Sequence, residues 1–377
     1  MSADIYLGIM SGTSLDGIDV AACRFKGQRV ELLGFHSADW KSGLREQLME
    51  FSTAECIKMD DLVRANFELA NEYTMAVETT LREMGISPSQ IRAIGLHGQT
   101  IRHLPSPPIP ATLQLGSGAA LAAITEIDVI SDFRSADIAL GGQGAPLVPM
   151  FDHYFLQSDS TDRLIVNIGG IANVTWLSAN AGDRDVIAFD CGPGNMLLDY
   201  ITQRYFGKSF DENGEIARSG KIDQKLLDEF LSNPYFKIPP PKSTGREMFS
   251  EHFLSNVHNS IATGKLLAED ALTTLTELTA IAIIQSFDVV QRKTKTAEII
   301  VSGGGAFNSY LLERMNANAF PNTSISSSDA FDVPAKAKEA IAFAFFAHAF
   351  VESITIHLPE TTGASGRTTL GSLSKGK

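Results

Sequence analysis

The chain has 377 residues, 44% of them hydrophobic and 20% charged, which indicates a globular protein with more than one hydrophobic core. Its 31 Lys and Arg residues against 44 Asp and Glu residues give a formal net charge of -13, which argues against nucleic acid and anionic membranes as partners. The start of the chain predicts no secretion signal, the apolar runs are too short to span a bilayer, and the three scattered cysteines are typical of free thiols in the cytoplasm.

The first stretch with a clear pattern is IYLGIMSGTSLDGIDVAACRF, residues 5–25, in which two apolar β-rich runs flank the polar turn SGTSLDG. Most hairpin turns close in about two to five residues, because a shorter connection loses less entropy and fixes the register. This turn is longer and carries two glycines, three hydroxyls and one carboxylate. Its composition favours a turn that is shaped to hold a ligand.

Apolar residues at helical spacing predict two long helices, and we interpret both apolar faces as core faces. The first helix stops at Gly85, and the second spans about residues 261–287. The proline-rich stretch at 237–247 is interpreted as an ordered loop, and a C-terminal helix is expected around 336–352. The two stripes consist of Val63, Phe67, Ala70, Thr74, Val77, Leu81 and Met84, and of Leu267, Ala271, Leu275, Leu278 and Ile281.

Six short apolar runs along the chain each end in a cluster of Gly, hydroxyl, amide or carboxylate residues. In open α/β sheets, ligands bind outside the carboxyl ends of the strands, so the clusters predict one convergent site. Any single cluster is also consistent with an ordinary turn. The run at 5–25 and the segment RLIVNIGGIANVTWLS share the pattern of strand, glycine turn and strand, so we expect one such hairpin in each of two lobes.

Several common signatures are missing from the sequence. The stretch GTSLDGID lacks the Lys of a P-loop, GGGAFN lacks the third Gly of a dinucleotide fingerprint, and no GxSxG elbow occurs. Zinc is not expected either, and we interpret His97 and His103 as a loop residue and a surface residue.

The motifs MSGTSLDGID, GLHGQT, DFR with GGQGAPLVP, NIGGIAN, FDCGPGN, PKSTGRE and GGGAFN follow one another over almost the whole chain. In this order they resemble the anhydro-N-acetylmuramic acid kinase family of bacterial cell-wall recycling. The resemblance implies an α/β fold of two ribonuclease-H-like lobes, the actin-like ATPase fold, around a nucleotide cleft. It implies an N-terminal lobe at 1–130 with the first phosphate-binding turn, and a C-terminal lobe at 131–377 with the catalytic Asp and the adenosine site. The last helix is expected to pack back on the first lobe.

The reaction that the resemblance implies is unusual, because a 1,6-anhydro sugar has no free hydroxyl at carbon 6. Water must attack carbon 1 while the γ-phosphoryl group of ATP captures O6. One carboxylate base should then suffice, where an inverting glycosidase needs two carboxyl groups. The resemblance places that base at Asp190. The local sequence alone is equally consistent with Asp190 as the N-cap of a helix that begins near NMLLDYI.

The resemblance, together with residue type, also implies sites for ATP, Mg²⁺ and the sugar. Asp16 and Asp19 are candidates for holding Mg²⁺ through water, although Asp is also common in turns. Arg134, Lys242 and Arg246 are candidate partners of phosphate or of the lactyl carboxylate of the sugar. Each is also consistent with a simply solvated side chain. The expected ATP-binding residues are Gly12, Thr13, Ser14, Leu15, Asp16, Gly17, Ile18, Asp19, Gly169, Gly170, Asn173, Gly303, Gly304 and Gly305, and the expected substrate-binding residues are Arg134, Gly192, Asn195 and Glu339.

Two alternatives to the anhydrosugar kinase remain open from sequence. One is an actin-like regulatory ATPase without a small-molecule acceptor, which would not need Asp190 or the region of Arg134. The other is a hydrolase of anhydro sugars that no longer uses ATP, which the intact glycine-rich turns disfavour. The expected partner is a small amino sugar in the cytoplasm, and a homodimer is a candidate assembly.

Overall fold

The computed structural model describes residues 4–179, 182, 185–245, 248–290 and 297–377. These residues form two compact units. Unit 1 comprises residues 4–155 and 337–377, and unit 2 comprises residues 156–336. The chain passes from unit 1 to unit 2 after Phe155. The expected boundary was at residue 130, and the segments around Arg134 and Phe151 belong to unit 1.

The described residues of unit 1 contain a seven-stranded sheet. Its strands are β1 (Ile5–Ser11), β2 (Ile18–Lys26), β3 (Arg29–Ala38), β4 (Ile91–Leu104), β5 (Ala111–Leu115), β6 (Val129–Ser131) and β12 (Ser372–Ser374). Its helices are α1 (Leu44–Thr53), α2 (Met59–Met84), α3 (Gly118–Thr125), α4 (Ser135–Ala139), α5 (Val148–Leu156, which ends at the boundary), α12 (Lys338–Val351) and α13 (Pro359–Thr362).

Unit 2 contains five strands in its described part. They are β7 (Asp162–Ile168), β8 (Ile171–Leu177), β9 (Ile187–Pro193), β10 (Ala297–Ser302) and β11 (Thr323–Ser327). Its helices are α6 (Met196–Phe206), α7 (Glu215–Ser219), α8 (Gln224–Leu231), α9 (Ser255–Ala262), α10 (Ala268–Val290) and α11 (Ser309–Asn318). Short 3₁₀ helices occur at Pro88–Gln90 in unit 1 and at Glu212–Gly214, Pro234–Lys237, Glu251–Leu254, Gly304–Phe307 and Ser328–Phe331 in unit 2.

The two sheets repeat one strand order. In unit 1 the order β3-β2-β1-β4-β6 has antiparallel pairs up to β1 and parallel pairs after it. In unit 2 the order β9-β8-β7-β10-β11 has the same directions. The expected hairpin in each lobe is therefore confirmed as β1–β2 and β7–β8. The α/β fold with two ribonuclease-H-like sheets is also confirmed.

Helix α12 lies directly against the sheet of unit 1 because two glycines face it. Gly8 in β1 and Gly95 in β4 are register partners. A Cβ on Gly8 would overlap the backbone of Ala340 and Ala344, and a Cβ on Gly95 would overlap the carbonyl of Phe343. The helix is buried on nearly all sides, which explains its continuous apolar sequence.

The prediction that both apolar stripes are core faces is wrong at their N-terminal ends. Val63 and Phe67 on α2 are 53% and 56% exposed, and Leu69 and Tyr73 are buried instead. A stripe with a period of about 3.5 residues winds slowly around a straight helix, which has about 3.6 residues per turn. The stripe therefore faces the core at Leu81 but faces solvent at Val63 and Phe67, nearer the N-terminus of the helix. The second helix begins at Ala268 because α9 ends before Gly264, whose left-handed φ of 69° breaks the helix.

Two polar clusters lie inside strands instead of following them. The cluster GQT belongs to β4, which continues by pairing with β5. The cluster DCGP belongs to β9, which pairs with β8 as far as Pro193. Asp190 is consequently a strand residue. Within the described ranges, no helix is both long and apolar enough to cross a membrane.

Candidate active site

The turn SGTSLDG connects β1 to β2, and one of its side chains, that of Leu15, packs into the core. Leu15 is buried in the core and adopts a left-handed φ of 58°, while its N–H donates to Gly12 O at 3.1 Å. Thr13, Ser14 and Asp16 are exposed around it, and among the described residues the N–H groups of Thr13 and Ser14 donate to no protein acceptor. The turn therefore presents free backbone donors, which is what an anion requires.

The two glycines of the turn differ in what the fold asks of them. A Cβ on Gly17 would lie 2.7 Å from Ala38 O, so packing against the end of β3 requires glycine there. The nearest atom to a Cβ on Gly12 is Ser14 Oγ at 3.5 Å, and its φ is not left-handed. Ile18 opens β2 and is buried, while Asp19 is half-buried beside it.

Arg134 follows β6 and forms the centre of a buried polar group in unit 1. Its Nη1 donates to Gly144 O at 2.7 Å, and its Nη2 donates to His97 Nε2 at 2.7 Å. Its Nε is buried without an acceptor among the described residues. Burial lowers the pKa of Arg134 to about 10, while Glu339 and Asp137 act in the opposite direction. The guanidinium remains charged and retains a donor for an anionic ligand.

His97 is a residue whose role sequence reasoning missed. It lies within β4 and is only 6% exposed, so its interpretation as a loop residue is wrong. Because Arg134 can only donate, His97 Nε2 must accept and the ring proton lies on Nδ1. Burial, followed by the charge of Arg134, lowers the pKa of His97 to about 3. The sequence signal was its position next to Gly98 and Gln99, in the strand adjoining the turn.

Glu339 lies in the first turn of α12, in the same unit as Arg134. Burial raises the pKa of Glu339, Lys338 lowers it, Asp19 raises it and Arg134 lowers it. Lys338 itself forms a buried ion pair with Asp152 at 2.8 Å. Unit 1 thus brings together Asp19, Arg134 and Glu339.

In unit 2, the hairpin turn Gly169–Gly170 is held from behind by the start of α6. The N–H of Gly194 donates to Gly170 O at 2.9 Å, and the N–H of Asn195 donates to Gly169 O at 2.8 Å. The Asn195 side chain donates to Ile168 O at 3.2 Å. Both turn glycines have room for a Cβ, with nearest atoms at 3.6 and 3.7 Å, so the protein's own packing does not explain them.

Asp190 lies in β9 opposite Asn173 of β8. One carboxylate oxygen accepts from the N–H of Thr244 at 2.9 Å, and the backbone N–H of Asp190 donates to Lys242 O at 3.2 Å. The hydroxyl of Tyr235 donates to the backbone carbonyl of Asp190 at 2.7 Å. The N-cap of α6 is Asn195, so the alternative of Asp190 as that cap is excluded.

The proline-rich loop therefore braces Asp190, which the sequence did not indicate. Lys242 Nζ donates to Tyr235 O at 3.2 Å and lies 4.5 Å from the centre of the Tyr235 ring. Burial lowers the pKa of Lys242, while the nearby Cys191 and Asp190 act to raise it. Arg246, the other candidate cation of this loop, lies outside the described residues.

The remaining predicted glycines of unit 2 separate into two groups. Gly192, Gly303 and Gly305 meet protein atoms closely, at Phe236, at Asn167 and at Ile168 respectively, and Gly303 also has a left-handed φ of 78°. Packing and backbone geometry account for these three. Gly304 is open, because the nearest atom to its Cβ position is Asn195 Nδ2 at 3.5 Å.

The carboxylates of unit 1 are compatible with a magnesium ion that is shared with phosphate. Within the described ranges, no group of three or more His, Cys, Asp or Glu side chains could hold a metal. Mg²⁺ needs no such cage, because it is usually bound through one or two carboxylates, waters and substrate phosphates. Asp16 is exposed and Asp19 is half-buried, so both can reach a hydrated ion.

We expect the burial of His97 to make the protein less stable in acid. Below pH 6.5 the unfolded chain binds a proton that folded His97 refuses until about pH 3, so stability falls as pH falls through this window. From pH 7 to pH 4.5, the wild type should lose about 2 kcal/mol more unfolding free energy than His97→Gln. Urea titrations at both pH values measure the difference.

The exposed His252 supplies the matched control for this comparison. His252→Gln should follow the wild type at both pH values. An equal loss in the wild type and His97→Gln would contradict the assignment of a buried neutral His97.

Comparison with known proteins places the chain in a family. A family model described as anhydro-N-acetylmuramic acid kinase matches residues 4–376. The anhydro-N-acetylmuramic acid kinase of Pseudomonas savastanoi pv. phaseolicola is 42% identical over 371 residues, which cover 98% of each chain. That of Nitrosomonas europaea is 42% identical over 368 residues, covering 98% of this chain and 99% of the relative.

A solved structure, the activator of 2-hydroxyisocaproyl-CoA dehydratase from Clostridium difficile, aligns with a TM-score of 0.49 and 13% identity over 93% of this chain and 96% of that one. The family model spans nearly the whole chain, and the sequence relatives share its full length. The chain therefore belongs to the anhydro-N-acetylmuramic acid kinase family.

Proposed function

We propose that this chain is an ATP-dependent kinase that hydrolytically opens 1,6-anhydro-N-acetylmuramic acid and phosphorylates O6, giving N-acetylmuramic acid 6-phosphate. Support comes from the family membership and from the names of the full-length relatives. The observation that carries the mechanism is that the loop at 238–245 holds Asp190 of β9 by hydrogen bonds to both its carboxylate and its backbone.

In this reaction the oxygen of water bonds to carbon 1 as the bond between carbon 1 and O6 breaks. O6 bonds to the γ-phosphorus of ATP, and ADP leaves with the oxygen that bridged the β- and γ-phosphates. The proton released by the water passes to Asp190. Because the phosphoryl group captures O6, no carboxylic acid is needed to protonate the leaving oxygen.

Asp190 suits the role of general base because its neighbours hold its side chain and its backbone in place. The N–H of Thr244 donates to Oδ2 of its carboxylate. Tyr235 and Lys242 fix the backbone at the same residue. A rigid mount matters because the base must meet water at a defined angle.

The open glycines are the candidates for close approach of ATP. Gly12, Gly169, Gly170 and Gly304 have room for a Cβ and no left-handed φ, so ligand contact accounts for them better than packing does. The free N–H groups of Thr13 and Ser14 would donate to phosphate oxygens. Leu15 would contribute backbone only, since its side chain is buried.

On the sugar side, Arg134 and Glu339 are the proposed contacts in unit 1. We assign the Arg134 guanidinium to the lactyl carboxylate, because its bonds to Gly144 and His97 use only two of its five N–H donors. Glu339 is buried enough for its pKa to be raised, which suits a hydrogen bond with a sugar hydroxyl. Gly192 and Asn195 remain proposed substrate contacts in unit 2.

Mg²⁺ would be held by Asp16 and Asp19 through water and would neutralise charge on the triphosphate. We place the reaction in the cytoplasm, where ATP is available and the thiols of Cys23, Cys56 and Cys191 stay free. The family membership does not favour a regulatory ATPase without an acceptor. A homodimer stays a prediction.

Replacing the proposed base tests the mechanism. Asp190→Asn keeps size and can still accept from Thr244, but it cannot take a proton, so kcat should fall by about 10² to 10⁴. The ATP Kd by calorimetry should stay the same, since the base acts on the sugar side. The exposed Asp332 provides the control Asp332→Asn, which should retain full turnover. A folded Asp190→Asn enzyme with normal kcat would refute the assignment.

Adding one methyl group tests the phosphate turn without disturbing the fold. Gly12→Ala should leave the melting temperature unchanged, because its Cβ has space, but should weaken ATP binding by about tenfold or more. Gly366→Ala is the matched control, since nothing lies within 4 Å of that Cβ. Gly17 is unsuitable because its Cβ would strike Ala38 O. Unchanged ATP affinity in Gly12→Ala would exclude this turn as the phosphate site.

A further inference from the structure

A buried polar cluster in unit 1 lies outside the residues assigned so far. It consists of Asp137 on α4, His357 and Thr362 near the C-terminus, and all three are at most 2% exposed. His357 Nε2 donates to Asp137 Oδ1 at 2.6 Å, and the Thr362 hydroxyl donates to the same oxygen at 2.5 Å. Residues more than two hundred positions apart thus meet at one carboxylate.

The tautomer of His357 follows from its second contact. The N–H of Thr368 donates to His357 Nδ1 at 3.1 Å, so Nδ1 must accept and the ring proton lies on Nε2. A neutral imidazole therefore satisfies both neighbours at once. Burial alone would raise the pKa of Asp137, but hydrogen bonds from His357, Thr362 and the N–H of Gly144 outweigh it, and the pKa is lowered. The ionised carboxylate is the form that these donors hold.

The C-terminal segment also binds the loop after α4 through its backbone. The N–H of Gln143 donates to Thr362 O at 2.8 Å, and the N–H of Ser365 donates to Leu140 O at 2.9 Å. These bonds join the chain segments that follow Asp137 and His357. The loop at 140–144 is accordingly shaped by residues 357–368, and its own sequence does not determine it alone.

The same loop holds Arg134. The second oxygen of Asp137 accepts from the N–H of Gly144 at 2.6 Å, and the carbonyl of Gly144 accepts from Arg134 Nη1 at 2.7 Å. Gly144 has a left-handed φ of 70°, which turns its N–H and carbonyl toward these two partners. A continuous path of hydrogen bonds runs from His357 through Asp137 and Gly144 to Arg134.

We propose that Asp137 and His357 are positioning residues that fix the Arg134 guanidinium for the carboxylate of the substrate. The proposal rests on the proposed function, in which the Arg134 guanidinium binds the lactyl carboxylate. It gives a role to a buried His–Asp pair whose Asp137 lies on the helix that Arg134 caps. The C-terminal segment 357–368 then has a role in substrate affinity that its sequence does not reveal.

The kinetic test compares His357→Leu with His357→Gln. Leu removes the donor to Asp137, so the sugar KM should rise about tenfold while kcat and the ATP KM stay within about twofold of the wild type. Gln can donate from its amide to Asp137 and should restore most of the sugar affinity. If His357→Leu only destabilised the fold, kcat would fall and the sugar KM would not change selectively. His357→Gln would then not selectively restore the sugar KM. If His357→Leu does not fold, Thr362→Val removes the parallel hydrogen bond at nearly constant volume and takes its place.

A double-mutant comparison shows whether the effect passes through Arg134. In the Arg134→Ala background, His357→Leu should raise the sugar KM no further, because the group that it positions is gone. Additive effects would overturn the inference. If Arg134→Ala alone leaves the sugar KM unchanged, the proposed role of Arg134 fails instead, so the two failures are distinguishable.

An NMR measurement tests positioning without any turnover. Hydrogen exchange of the Arg134 Nε–H should be at least about tenfold faster in His357→Leu than in the wild type, because its side chain is no longer held. The Arg314 Nε–H, which donates to Glu277 in unit 2, should exchange at an unchanged rate. Equal Arg134 exchange in both proteins would overturn the proposal, because this measurement does not depend on turnover.

Discussion

The contact of α12 with two glycines is the constraint on which the arrangement of unit 1 depends. Gly8 and Gly95 sit side by side in adjacent parallel strands, and the helix backbone occupies the space that their side chains would fill. The helix therefore starts at a fixed distance from the strands that carry the turn SGTSLDG and His97. This close approach brings Glu339, a residue near the C-terminus, into the same polar group as Arg134 and Asp19.

Unit 2 uses the same strand order but a different means of fixing its site. There the start of α6 binds the carbonyls of Gly169 and Gly170, and a proline-rich loop binds the backbone and side chain of Asp190. Hydrogen bonds take the place of the tight helix packing. Each unit thus presents a glycine turn at the same position of its sheet, with chemically different side chains around it.

Much of the fold could be predicted because it follows from local pattern. The hairpin β1–β2, the hairpin β7–β8 and helix α12 are visible as apolar runs with glycine turns or helical spacing. The prediction of a core face on α2 was wrong at Val63 and Phe67, because the spacing of apolar residues does not reveal where a straight helix leaves the core. The prediction that a strand ends before Asp190 was also wrong, because the length of β9 depends on its pairing with β8.

The sequence motifs indicated the candidate site residues, but not the residues that hold them in place. Asp190, Arg134 and the turn SGTSLDG stood out as motifs. His97, Thr244 and the His357–Asp137 pair did not, because their contacts join segments that are distant in sequence. Sequence also could not separate glycines that packing requires, such as Gly17, from glycines with open space, such as Gly12.

In the proposed reaction, water opens the sugar ring while phosphate is transferred to O6. Incubating the protein with 1,6-anhydro-N-acetylmuramic acid, Mg-ATP and oxygen-18 water, with early quenching, tests it directly by mass spectrometry and NMR. We expect one label on the carbon 1 hydroxyl, an unlabelled oxygen bridging carbon 6 and phosphorus, and one ADP per sugar. Labelled inorganic phosphate with an unopened sugar, or an opened sugar without phosphate, would contradict it.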